Sequence, residues 1–204
     1  VLLIVMVVAN RVRDTMALLI IGLMFGSITA ALVSVMAYFS DASSLQRFVF
    51  WSFGAVGGLS WKQLGILSLL VFFGIFLSIL SLKHLNALLL GEHYAKSLGV
   101  PIKKLRFVVI LATGVLAGGI TAFAGPIAFI GLAVPHLTRQ LFNSMDHKIL
   151  IPAVFLLGAV VMLFCDTVAQ LPTSAEVLPI YAITSIVGAP EVIWLLINKR
   201  KLIF

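Results

Sequence analysis

Residues 83–106 read KHLNALLLGEHYAKSLGVPIKKLR. This is the longest polar interval in a chain that is otherwise almost entirely apolar. It carries five of the fourteen lysines and arginines, two of the four histidines, and Glu92. Leucines and alanines recur within it at helical spacing, and Gly91 and Gly99 punctuate them. A connecting loop without a partner has little use for that amphipathic pattern. The pattern alone leaves two readings open. One is an interfacial amphipathic loop. The other is a docking helix, spanning residues 86–100, that passes motion from a soluble partner into the membrane.

The composition around this interval decides the class. Of the 204 residues, 62% are hydrophobic and 10% charged, with a mean hydropathy of +1.20. A soluble domain is about 45–50% apolar and about 25% charged. No soluble core of this size could hide so much apolar surface, so the chain reads as an all-α, polytopic helical membrane protein. A single cysteine, Cys165, leaves no intrachain disulfide and no multi-cysteine metal site. The net charge of +7 is not a nucleic-acid signature, because the basic residues lie in the gaps between apolar runs. The opening run VLLIVMVVA is about half a membrane span. We therefore expect the sequence to be the C-terminal part of a longer protein.

Outward from residues 83–106, the uncharged runs are 15–40 and 63–82 on one side, and 107–138 and 149–165 on the other, where a last span, 180–198, carries Glu191. Gly22, Gly26, Ala30 and Ser34 fall every fourth residue and form one smooth stripe on the first run. A polar and aromatic interval, 41–62, places Trp51 and Trp61 at interfacial positions. The run 107–138 has 32 residues. As one helix it would be about 48 Å long against a hydrocarbon core of about 30 Å. Gly125-Pro126 divides it. Basic segments flank it and belong on one side of the membrane. It must therefore leave and return, either as two short crossings or as one crossing plus a partly re-entrant piece. Placing the loops around Arg11 and Arg13, residues 83–106, Arg139 and Lys148, and the Lys199-Arg200-Lys201 terminus on the inner side leaves only Arg47 and Lys62 outside. That asymmetry predicts an inner C-terminus.

The second motif is GPIAFIGLAVPHLTR, residues 125–139. Gly125, Pro126, Gly131 and Pro135 so close together predict broken helix backbone, which is tolerated at membrane depth only under cover of protein or a water-filled cavity. Arg139 reads as an inner anchor, and His136 as a hydrogen-bond partner for a freed carbonyl. Asp166 reads as an interfacial or helix-end residue, and Glu176 as solvated in an outer turn. Glu191 lies inside the last span and should face a polar cavity or a partner chain. A competing class is a fragment of an ion-coupled secondary transporter, with Asp166, Glu191 and His136 as its relay. No GxxxxGK[ST], HExxH or GxSxG pattern is present, so neither nucleotide binding by a P-loop nor common intramembrane protease chemistry is indicated.

LLLGEHYAKSLGV, GPIAFIGLAVPHLTR, DHKILIPA and LPIYAITSIVGAPEVIWLL occur in this order. Together they resemble the permease subunits of ABC importers for iron–siderophores, haem and cobalamin, the FecCD-like family. The resemblance runs from Asn10 to the end. It implies the type II importer fold, with about six full or partial spans present of ten, in one transmembrane domain over 1–204. Residues 83–106 would form its cytoplasmic coupling segment.

The resemblance also implies roles. Leu90, Gly91, Glu92, Ala95, Leu98 and Gly99 match the coupling signature that docks into an ATPase subunit. Gly131, Pro135, His136 and Arg139, which follow the Gly125-Pro126 break in the same broken-helix motif, match the short eighth span. Gly22, Gly26, Ala30 and Ser34 match the pathway-lining helix, and residues 43–53 the short outer helix after it. Implied partners are two ATP-binding subunits, a second copy of this permease or a homologous one, a periplasmic or lipid-anchored substrate-binding protein and membrane lipid, but no nucleic acid. ATP and Mg would sit on the ATPase, leaving no catalytic residue, metal or cofactor on this chain. The expected location is the bacterial plasma membrane. The sequence departs from the family pattern at Val177, which stands where a glutamate usually does, with Glu176 one residue early. Tyr181, Gln170 and Glu191 also depart from it.

Overall fold

A computed structural model describes residues 15–171 and 178–199. Among the described residues there are eight α-helices and no strand. They are α1 (Thr15–Tyr38), α2 (Ala42–Phe53), α3 (Trp61–Leu88), α4 (Glu92–Ser97), α5 (Ile102–Ala124), α6 (Ile130–Phe142), α7 (His147–Gln170) and α8 (Ile180–Lys199). Four of them, α1, α3, α5 and α7, are long and apolar enough to cross a membrane; the apolar part of α8, Ile180–Trp194, is shorter. With α6, this is the set of full and partial spans that the sequence predicts. The expectations for Arg11, Arg13, Glu176, Val177 and the Arg200-Lys201 pair lie outside the described residues.

Polar residues mark the helix starts. Asp41 caps α2, accepting the Ser44 N–H, and hydrogen bonds from Ser43 and Ser44 hold its carboxyl at about 2. Ser60 and Gln63 close a capping box on α3. Asp146 caps α7 by accepting the Lys148 N–H at 2.9 Å. Inside the spans, hydroxyls turn back onto their own helix, as in Ser34 to the Ala30 carbonyl at 3.0 Å and Ser81 to the Leu77 carbonyl at 2.9 Å. These hydroxyls are thereby satisfied without a partner helix.

The core is built from small residues. Ala95, Ala112, Ala124, Ala133, Ala153 and Ala169 are buried, while most large apolar side chains face outward. In lipid, helices gain by close backbone approach rather than by hiding large side chains from water. The α3/α5 pair shows this. A Cβ on Gly74 would collide with Leu116, and one on Gly119 would touch Leu70 at 3.4 Å. Positions 74 and 70 thus face 116 and 119, so the two helices run antiparallel. The later helices continue up and down. Val134 of α6 lies 3.7 Å from a Cβ built on Gly158 of α7, and the Leu178 N–H before α8 donates to the Ala169 carbonyl of α7 at 3.0 Å. One end of the bundle therefore holds α4, the start of α5 and the start of α7. The far end holds α2, the end of α5 and the start of α8.

Two boundaries differ from the sequence reading. α3 does not stop with the uncharged run at Leu82 but continues to Leu88, carrying Lys83 and His84 as helix. α7 runs past Asp166 to Gln170, whose amide donates to Asp166 Oδ2 at 2.7 Å. Asp166 therefore lies one turn inside the helix and does not close it. In both cases charge on the helix surface is compatible with continued backbone hydrogen bonding, which an uncharged-run criterion overlooks.

Candidate functional site

α4 is a single knob of six residues, far too short to be stable alone. Its ends are fixed by two glycines at backbone angles that L side chains rarely adopt, Gly91 at φ +100° and Gly99 at φ +79°. At the C-terminal end the Gly99 N–H donates to the Lys96 carbonyl at 2.9 Å and the Val100 N–H to the Ala95 carbonyl at 3.0 Å. This is a complete Schellman closure. Nothing lies within 4 Å of a Cβ at either glycine, so backbone conformation alone requires them. Glu92 opens the helix where its dipole favours an anion, and pairs with Lys96 at 3.4 Å. Both side chains are about half exposed, so the pair is worth only about 0.3–0.5 kcal/mol.

The helix has one buried contact and an exposed surface. Ala95 is 0% exposed, whereas the other residues of α4 and both flanking glycines are exposed. Leu90, Tyr94 and Leu98, spaced by four, are 65%, 54% and 58% exposed. Ala95, matched by resemblance to a docking residue, is therefore an anchor of the knob rather than part of its outer surface. Tyr94 belongs to that outer surface and was not singled out by the motif. Its four-residue spacing from Leu90 and Leu98 is the signal that points to it.

A clamp ties the base of the knob to α7. Asn86, in the last turn of α3, donates through Nδ2 to Asp146 Oδ1 at 2.6 Å. Its Oδ1 accepts the His147 backbone N–H at 2.9 Å and meets His147 Nδ1 at 2.7 Å. The Lys148 backbone N–H, and then the Asn86 amide, hold the Asp146 carboxyl below its usual range. Nothing in the spacing of Asn86 and Asp146 along the sequence announces this contact.

At the far end, Gly125 stops α5 at φ +78° beside Gly54, which stops α2 at φ +73°. A Cβ on Gly125 would strike the Trp51 carbonyl oxygen and the Gly54 Cα, and one on Gly54 would lie 2.8 Å from Ile180. The Ala55 N–H donates to the Ala124 carbonyl at 2.9 Å, and Trp51 Nε1 to the Ala122 carbonyl at 3.3 Å. Two helix ends and the start of α8 thus meet on two glycines. From there residues 125–128 run without helix to Phe129, which holds φ +60° and packs under Gly188 of α8.

Gly188 is about 12 Å further along α8 than Ile180, and four extended residues cover about 13 Å. The broken stretch therefore descends part-way before α6 begins. With 13 residues, α6 is about 20 Å long. Of the two arrangements predicted for residues 107–138, this is the full crossing plus a partial return. Pro135 lies within α6, where its missing N–H leaves the carbonyl of exposed Gly131 without that intrahelical bond. His136 Nε2 meets the amide nitrogen of Gln140 at 2.9 Å, and Arg139 is exposed in the last turn.

Gly22, Gly26, Ala30 and Ser34 are all exposed on α1, and no described residue lies within 4 Å of a Cβ at Gly22 or Gly26. The half-buried positions of α1, Ala17, Ile21, Phe25, Val33 and Ala37, fall on the adjacent stripe. The small stripe is therefore not a packing face toward described residues. Asp166, His136 and Glu191 occupy three different helices, α7, α6 and α8. The Oε1 of Glu191 is buried without a hydrogen-bond partner among the described residues. Those residues include no cluster of three metal-ligating side chains.

Comparison with known proteins places this geometry. The model of the FecCD transport family matches residues 1–198. The vitamin B12 import system permease protein BtuC of Klebsiella pneumoniae subsp. pneumoniae is 39% identical over 192 residues, covering 94% of this chain and 57% of the relative. The BtuC of Salmonella typhi is 38% identical over 193 residues, 95% of this chain and 59% of the relative. A solved structure described as an inward-facing conformation of an ABC transporter of metal-chelate type aligns with a TM-score of 0.83 at 34% identity, covering 97% of this chain and 64% of that one. The chain thus spans under two thirds of the length of each of these proteins.

Proposed function

The chain belongs to the FecCD transport family, and on that premise we propose that it is the transmembrane permease subunit of an ATP-driven ABC importer for an iron chelate (siderophore or haem) or cobalamin. The observation that carries this reading is the shape of α4. A rigidly capped, alanine-anchored knob holds Leu90, Tyr94 and Leu98 outward where a soluble partner can take them. An apolar face held so stiffly is suited to transmitting displacement. On this reading the partner is the ATPase, one per permease copy, and MgATP binds there.

The end carrying α4 faces the cytoplasm of a bacterium, as the excess of basic residues on that side supports. The C-terminus lies on the same side. Two copies, or this chain and a homologous permease, pair around a shared pathway lined by Gly22, Gly26, Ala30 and Ser34. Ser34 turns its hydroxyl onto its own helix, so that stripe presents a small and largely apolar surface. A bulky chelate would slide past such a wall without being held by it. Alternating access follows when ATP-driven closure moves the two knobs and tilts the helices attached to them, with a substrate-binding protein delivering cargo at the far end.

The test is uptake by proteoliposomes holding the full-length permease and its co-purified ATPase, with labelled cyanocobalamin and a ferric siderophore as cargo. ATP-dependent accumulation of either supports the reading. Accumulation driven by a proton or sodium gradient without ATP overturns it in favour of an ion-coupled transporter.

A further inference from the structure

The coupling knob is not fixed only to the two helices that flank it in sequence. Asn86 sits at its base and joins it to α7, sixty residues away along the chain. The Asn86 amide uses both its ends. Its nitrogen donates to Asp146, and its oxygen receives the His147 N–H. Asp146 Oδ1 in turn receives the Lys148 N–H that starts α7. The contact is partly buried, and it needs one donor and one acceptor on the same short side chain. Leucine or alanine at position 86 would supply neither. Aspartate would supply the acceptor but set a second carboxylate against Asp146.

From this geometry we infer that Asn86 is a positioning residue that carries displacement of the α4 knob into α7, and through the α6/α7 turn into the half-height helix α6. The inference rests on the reading of α4 as the ATPase-docking element. α3 and α5 pack closely against each other at Gly74 and Gly119. α7 reaches the knob end through its capped N-terminus, and the Asn86 clamp is the polar bridge at that point. Hydrogen-bonded groups that switch together are the kind of discrete connection through which coupling travels. Loss of Asn86 should therefore leave the knob able to bind its partner while α7 no longer follows it.

The experiment uses the full-length chain in a Cys165→Ala background, with spin labels at Lys96→Cys on α4 and Leu156→Cys on α7. The first readout is the distance distribution between the labels without ATPase. The second is cargo transported per ATP hydrolysed in the reconstituted complex. Asn86→Asp should broaden the distribution, retain ATPase binding and ATP hydrolysis, and lower transport per ATP by about fivefold or more, the lower end of typical coupling. The exchanged pair Asn86→Asp with Asp146→Asn restores one donor facing one acceptor, and should narrow the distribution and recover transport. A generic destabilisation by Asn86→Asp would not be repaired by that exchange.

An unchanged distribution or unchanged transport per ATP in Asn86→Asp overturns the proposal, as does failure of the exchanged pair to recover either. A wild-type chain that recruits no ATPase overturns the docking reading, and the transmission role with it, even where the label distances show the clamp to be rigid.

Discussion

Phe129 lies directly against Gly188, so close that a Cβ on that glycine would be 2.5 Å from the Cβ of Phe129. Phe129 also holds a left-handed backbone, φ +60°, costly for a bulky side chain. The two facts explain each other. The chain must turn sharply between the descending stretch and α6, and the turn is held because α8 offers a gap without a side chain.

Gly188→Ala should therefore cost about 1–3 kcal/mol, through overpacking against a residue that cannot retreat. In a Phe129→Gly background the same substitution should cost much less, because both the obstructing side chain and the φ penalty are gone. Thermal unfolding of the four proteins in detergent provides the double-mutant cycle.

Gly125 and Gly99 share nearly the same φ, yet alanine should not be equally harmful at both. At Gly99 there is open space, so only the left-handed backbone penalty of about 1–2 kcal/mol applies. At Gly125 a Cβ would also strike the Trp51 carbonyl and the Gly54 backbone. Gly125→Ala should lower the melting temperature more than Gly99→Ala, and should reduce the yield of folded protein.

Gly26→Leu gives the opposite expectation. No atom of the described residues lies within 4 Å of a Cβ there. The variant should melt within about 0.5 kcal/mol of wild type, as a substitution on an open surface does, yet transport poorly. Cysteines at positions 26 and 30 should crosslink two copies with a yield that changes on adding ATP. Absence of any intersubunit crosslink in every nucleotide state would remove the pathway role of α1.

The clamp should fail in acid. Hydrogen bonds from the Lys148 N–H and the Asn86 amide hold the Asp146 carboxyl below the ordinary value of 3.8. Its stabilising effect is thus complete above that value and declines as pH falls through the lower folded-state pKa. The melting-temperature difference between wild type and Asp146→Asn should not shrink from neutral pH to mildly acidic conditions, where the Asp146 charge also favours protonated His147, and should shrink below pH 3.8. A difference already shrinking near neutrality would contradict this assignment.

Much of this was legible in the sequence because lipid imposes strict rules on a chain. Uncharged runs of spanning length located α1, α3, α5 and α7, and the Gly125-Pro126 break located the division between α5 and α6. Gly91 and Gly99 bracketed α4 because a helix of one or two turns needs explicit stops. The pairing of Gly54 with Gly125, the seat of Phe129 under Gly188 and the Asn86–Asp146 clamp were not legible. Each joins positions far apart in sequence by a single contact, and periodicity reports only which face a residue occupies. The motif that matches Ala95 to the docking signature does not show that its side chain is fully buried. The uncharged run ends at Leu82, whereas α3 extends through Lys83 and His84 to Leu88.

We propose that α4 docks an ATPase and couples it to the pathway. The most direct measurement is substrate-stimulated ATP hydrolysis by the full-length permease assembled with its ATPase, comparing wild type with Gly91→Leu. Gly91 holds φ +100° at the root of the exposed knob, so leucine there should displace Leu90 and Tyr94 from their positions. The account predicts normal membrane insertion and loss of stimulation and transport. Full substrate-stimulated hydrolysis with normal uptake by Gly91→Leu would contradict it.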